Sequence, residues 1–95
     1  MIRVVKLTFK EEFCNDFLEF ISGYQKEIRG RSGCQSLDFL RDRANPCIFF
    51  TYSTWSEESD LDAYRESDLF QIVWSQVKTW FDSKPEAWSL NSLEF

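Results

Sequence analysis

An α+β fold, with one antiparallel four-stranded sheet and its helices in the order β-α-β-β-α-β, follows from three observations on the 95-residue sequence. Four short segments, at residues 2–9, 34–41, 47–55 and 87–93, are rich in β-branched and aromatic residues or alternate in polarity, as strands do. Two longer stretches between them carry apolar residues at helical spacing. The length suits a single domain, residues 1–95, with little room for a second core.

In chain order, residues 2–9 (IRVVKLTF) form the first strand. Residues 10–29 carry Phe13, Phe17, Phe20, Ile21, Tyr24 and Ile28, the stripe of one amphipathic helix. Gly30 and Gly33 supply its stop and the turn that follows. Residues 34–41 alternate around Leu37 and Phe39 as the second strand, and DRANP is a turn marked by Asn45 and Pro46. Residues 47–55 are the third strand. Ser56 is suited to cap a short helix reaching about residue 66, with Glu57 and Glu58 in its first turn, where the helix dipole favours negative charge. Ser67 and Asp68 restart a helix with Leu69, Phe70, Val73, Trp74, Val77, Trp80 and Phe81 on one face; Pro85 ends it, and residues 87–93 close the sheet.

This order is the split βαβ arrangement of the ferredoxin-like fold. Two helices cover only one side of such a sheet. Yet the third strand is bulky on both sides, with Phe49 and Trp55 pointing one way and Ile48, Phe50 and Tyr52 the other. In the first strand, Val5, Leu7 and Phe9 oppose Ile2 and Val4. A second cover is needed, and sheet-to-sheet packing in a symmetric homodimer is the simplest one. Trp80 and Trp88 are candidates for that interface.

Composition removes several function classes. The net charge of −5 leaves no basic excess for nucleic acid, and no apolar run is long enough for a membrane span. The chain contains no histidine, so a serine hydrolase triad and a histidine-assisted zinc site are both unsupported. The acidic run Glu57, Glu58, Asp60 and Asp62 lacks the spacing of a calcium loop and reads as a solvated helix face; no metal is expected. Cys14, Cys34 and Cys47 stand far apart without a paired motif and read as free thiols in a reducing cytoplasm, the expected location.

TYSTW closing the third strand, the acidic helix start, the SDLF step and the second-strand segment SGCQSLDFLRD together resemble the antibiotic biosynthesis monooxygenase family, the dimeric α+β barrel proteins. The resemblance extends over nearly the whole chain and implies a homodimer with a pocket between helices and sheet in each subunit. It also implies oxidation of phenol- or quinol-like aromatic molecules by oxygen, with no metal or flavin cofactor. One branch degrades haem through an asparagine, a tryptophan and a histidine. Here Val4 stands near the first position, Tyr64 at the second and Trp74 at the third; Trp74 has no lone pair for iron, so haem degradation is not expected. Where many members carry a histidine nine residues after the strand-ending tryptophan, this chain has Tyr64, and Leu69 replaces a second common histidine.

The resemblance and the strand positions together nominate Tyr64 as the catalytic or substrate-orienting residue, Trp74, Phe20 and Trp55 as pocket walls, and Lys6 or Arg41 as stabiliser of a substrate anion. The expected function is a cofactor-independent monooxygenase acting on an aromatic small molecule. The alternative is a non-catalytic ligand-binding or structural dimer of the same fold that has lost its base.

Overall fold

The computed structural model describes residues 1–95. Strand β1 (Ile2–Thr8) runs inside the sheet between β3 (Ile48–Trp55) and β4 (Glu86–Leu90), and β2 (Cys34–Arg41) lies outside β3. All three pairings are antiparallel, with Val4 opposite both Tyr52 and Trp88, and Leu40 opposite Phe50. This is the arrangement expected from the order of elements.

On one side lie helices α1 (Cys14–Ser22), α2 (Gln25–Arg29), α3 (Glu58–Arg65) and α4 (Asp68–Val77). Alternation along the strands divides the residues between faces. Leu7, Phe9, Leu37, Phe49, Ser53 and Trp55 are buried, and Phe17, Ile21, Ile28, Val73 and Val77 descend onto them from the helices. Each such apolar side chain contributes roughly 1.5–3 kcal/mol by leaving water. The centre is an aromatic stack, with Phe9 4.5 Å from Phe17 and 5.3 Å from Phe81, and Phe17 5.0 Å from Phe49.

The structure corrects several expectations. The helix over residues 10–29 is broken into a 3-10 turn at Glu11–Phe13, then α1, then α2 after a turn at Gly23–Tyr24. Two short pieces follow the curved sheet where one straight rod would diverge from it. Glu57, not Ser56, caps α3, and its N–H donates to Asp60 Oδ2 at 3.2 Å. Ser56 is instead tied to the preceding turn, its N–H donating to the Gly33 carbonyl at 2.8 Å. Phe81 does not continue the last helix. After a 3-10 turn at Lys78–Trp80 the chain becomes extended and Phe81 bridges to Phe9. Strand β4 ends at Leu90, because β1 offers no partner beyond Ile2.

Cysteine chemistry also differs. Cys14 and Cys47 form a disulfide across a 33-residue separation, their Cα atoms 5.2 Å apart, joining the start of α1 to the residue before β3. Only Cys34 is a free thiol. The expectation of three free thiols is overturned, and with it the argument from thiols for a reducing compartment. No helix is long and apolar enough to cross a membrane.

Strand β2 is a sheet edge, which would leave carbonyls open to pairing with other chains. Arg29 closes part of it: its Nε and Nη2 donate to the Leu37 carbonyl at 3.0 and 2.8 Å, which also fastens α2 to the sheet.

Candidate functional site

Between the helix-facing side of the sheet and helices α3 and α4 is a cavity of about 340 Å³, within the range of small-molecule sites. Arg3 and Val5 of β1 and Thr51, Ser53 and Trp55 of β3 line the sheet side. Tyr64, Phe70 and Trp74 line the helix side.

The aromatic wall is continuous. Trp55 stacks on Tyr64 at 5.6 Å and 22°, Tyr64 meets Phe70 edge-on at 5.4 Å and 87°, and Phe70 stacks on Trp74 at 5.7 Å and 10°. These are offset-stacked and edge-to-face arrangements that the ring quadrupole favours. Ser67 holds the wall in register. Its Oγ accepts from the Phe70 N–H at 3.2 Å as the N-cap of α4, and donates to the Tyr64 carbonyl at 2.5 Å at the end of α3. One hydroxyl thus sets the angle between the two ring-bearing helices.

Polar groups in the cavity are few. The Trp55 Nε1–H donates to Ser53 Oγ at 3.0 Å, and Ser53 is the single buried polar residue of the chain. The indole is therefore satisfied and leaves only its apolar ring for a ligand. The Tyr64 hydroxyl makes no hydrogen bond within the chain, and burial pushes its pKa up to about 12, with Arg31 pulling against the shift and Cys34 adding to it. At neutral pH Tyr64 is a hydrogen-bond donor with a free valence, not a base. Arg3 is half-buried; burial lowers its pKa, the neighbouring charge of Arg65 adds to this and Asp62 opposes it. No carboxylate or thiol lines the cavity. Cys34 lies outside it with its thiol pKa raised, mainly by burial, which makes it a poor nucleophile.

With this geometry in hand, the sequence profile of the family described as antibiotic biosynthesis monooxygenase matches residues 1–73. The chain belongs to the antibiotic biosynthesis monooxygenase family. Solved structures agree on the fold. A crystal structure of an antibiotic biosynthesis monooxygenase superposes with a TM-score of 0.91 at 16% identity over 99% of this chain and 100% of that one. A Nitrosomonas europaea protein proposed to be such a monooxygenase gives 0.90 at 17% identity over 98% of each chain. A conserved protein from Methanosarcina mazei Go1 gives 0.84 at 26% identity over 90% of this chain and 86% of that one. Curated protein sequences yield no significant match.

Within this family fold, the residues nominated from sequence divide in two. Tyr64, Trp55 and Trp74 lie in the cavity wall. Phe20, Lys6 and Arg41 do not line the cavity. Phe20 packs on Tyr24 at 5.0 Å and Trp80 at 5.7 Å, beneath α1. Lys6 projects from the opposite face of the sheet and pairs with Glu86 at 3.8 Å. Arg41 sits at the end of β2 with its guanidinium carbon 4.9 Å from the Phe49 ring centre. Val4 faces away from the cavity with Tyr52 and Trp88, so its cavity-side neighbours are Arg3 and Val5. Trp80 packs on Phe13 and Phe20 and takes no part in the outer face.

Sequence reasoning missed Arg3 and Arg65. The signal for Arg3 was present: Val5, Leu7 and Phe9 mark the buried phase of β1, and Arg3, not Lys6, shares that phase. Arg65, last in α3, joins the lining only once α3 and α4 are packed on the sheet.

Proposed function

We propose that this chain is a cofactor-independent monooxygenase acting on a flat aromatic, phenol- or quinol-like molecule. The observation that carries the reading is the cavity itself, walled by stacked rings, with Tyr64, whose hydroxyl is unengaged, and the half-buried Arg3 both in its lining. A planar ring fits such a wall by stacking. Family membership supports oxygen chemistry. An activated CH2 or phenol must first lose a proton to water; the anion then gives one electron to O2, and the radical pair joins as a peroxide anion that takes a proton back to become a hydroperoxide. Loss of water leaves a carbonyl, so that CH2 + O2 becomes C=O + H2O. Tyr64 orients the substrate oxygen as donor, and the Arg3 guanidinium favours the anion.

The same reading includes a homodimer formed through the outer face of the sheet. Leu40, Tyr52, Trp88 and Leu90 are 49, 37, 42 and 45% exposed there, contiguous with Val4 and Phe50 across the strand pairings. A second copy of the chain matches that surface by symmetry.

One observation favours a non-catalytic binding dimer instead. The cavity lining includes no side chain able to act as a base at neutral pH. Oxygen uptake by metal-stripped protein with a panel of hydroquinones and anthrones separates the readings. Uptake above the uncatalysed rate, reduced in Tyr64→Phe, supports the oxygenase with Tyr64 in its site. Tight retention of these aromatics without uptake favours the non-catalytic binding module.

A further inference from the structure

The chain has five more acidic than basic side chains, yet no carboxylate lines the cavity between sheet and helices and two arginines do. Such a distribution against the overall charge is a field directed at a ligand, because an acidic protein gains nothing in solubility by lining an apolar cavity with cations. Neither arginine is held in an ion pair. The chain's single ion pair, Lys6–Glu86, lies on the other side of the sheet. Arg3 spends one N–H on a neutral partner, its Nη1 donating to Ser89 Oγ at 3.0 Å, and its remaining donors are unused. Arg65 makes no hydrogen bond or ion pair, and its charge disfavours that of Arg3. Asp62 offsets this in part but stays outside the cavity, in an adjoining depression that it lines with Glu66, Phe70 and Arg65 itself. Two like charges facing one partly desolvated space repel, and an anion between them relieves the repulsion.

We propose that Arg3 and Arg65 form an anion clamp at this cavity and that the natural ligand is an aromatic carboxylate, its ring against Trp55, Tyr64 and Trp74. The inference rests on the reading of the cavity as an aromatic site and narrows it from any phenol-like ring to one bearing a permanent anionic group. A carboxylate suits the site better than a bare ring because the guanidinium fork matches its two oxygens in plane. In this arrangement the clamp sets which molecule enters and in which orientation, and the Tyr64 hydroxyl is left to meet an oxygen elsewhere on the ring.

The test is titration calorimetry at low ionic strength with 2-naphthoate and its neutral analogue 2-naphthamide, on wild type, Arg3→Gln, Arg65→Gln and the outer-face control Lys6→Gln. Wild type and Lys6→Gln are expected to prefer the carboxylate by about tenfold, as a charge-assisted hydrogen-bonded pair provides. Each arginine variant is expected to lose most of that preference and to keep its affinity for the amide, which also shows that the cavity is intact. Arg65 is exposed, so its replacement tests the clamp even where Arg3→Gln disturbs the sheet. Equal binding of the two probes by wild type overturns the clamp and leaves the aromatic cavity standing. A preference that survives in Arg65→Gln, or falls equally in Lys6→Gln, overturns it as well, since diffuse surface charge then accounts for it. Binding of neither probe removes the aromatic-site reading and this inference together.

Discussion

Tyr64 occupies a place where burial and function meet in one hydroxyl. Its pKa of about 12, against an ordinary value near ~10, means that the folded chain holds the proton longer than the unfolded one. The unfolded state therefore binds fewer protons between these values, and stability falls as pH rises through that window. The full loss is on the order of 2–3 kcal/mol above about pH 12 and absent below about pH 10. Urea midpoints measured across this range should drop less steeply in Tyr64→Phe than in wild type, and the last-titrating phenolate absorbance should vanish in that variant; equal slopes would mean that Tyr64 is not buried as described. Gly33 is a second residue-scale case. It adopts a φ of +83°, and a Cβ there would overlap the Asp60 side chain at the start of α3. Gly33→Ala should cost about 1–3 kcal/mol, seen as a lower denaturation midpoint, whereas Gly23→Ala, with ordinary φ and a Cβ in van der Waals contact with the Phe20 carbonyl at 3.5 Å, should cost little. At this scale Gly33 was readable as a turn residue, but the identity of the side chain it must avoid was not, because Asp60 lies 27 positions away in sequence and arrives only with α3.

Among the elements, the junction of α3 and α4 decides whether a cavity exists. Ser67 ends one helix and begins the other, and Ser67→Ala removes both of its hydrogen bonds. A loss of about 1 kcal/mol is expected for the missing cap. Loss of affinity for an aromatic ligand should accompany it as Tyr64 and Phe70 move apart; calorimetry with 2-naphthoate reads this directly, and unchanged affinity would mean that tertiary packing alone fixes the angle. The disulfide between Cys14 and Cys47 acts at the other end of the helical layer. Closing a loop with a 33-residue separation stabilises by roughly 3–4 kcal/mol in the chain-entropy account. Under non-reducing denaturation a thiol reagent should titrate one cysteine, Cys34, and after reduction three, with the urea midpoint lowered; three thiols before reduction would contradict the pairing. Neither the helix break at Gly23–Tyr24 nor this pairing was legible from local pattern. Phe20 and Tyr24 continue the helical stripe on both sides of the break, and cysteine spacing carries no information about which thiols a fold brings to 5.2 Å between Cα atoms.

For the whole molecule, the two-sided apolar sheet has a consequence for assembly. In the proposed homodimer, Trp88→Glu together with Tyr52→Glu places charges on the outer face of each copy, and the pair of substitutions should convert a dimer to a monomer in sedimentation equilibrium. A wild type that sediments as a monomer at micromolar concentration would remove the dimer from the reading. Because the cavity opens on the opposite face of the sheet, binding of an aromatic probe should survive the loss of the partner unless helices and sheet are coupled through the interface.

The fold class, the order of elements along the chain and the two-faced sheet were written in short-range pattern: period two along the strands, a helical stripe between them, glycine and proline at the joints. These depend on residues a few positions apart, which is the range over which backbone geometry acts. Tyr64, Trp55 and Trp74 could be nominated from their places on such elements together with the family resemblance. The charge of the cavity could not, because it depends on Arg3 of β1 and Arg65 of α3, far apart in sequence, lining one cavity while Lys6 and Arg41 are turned elsewhere. That outcome is set by which face each strand presents and by the angle between two helices, and only packing of the complete chain decides both.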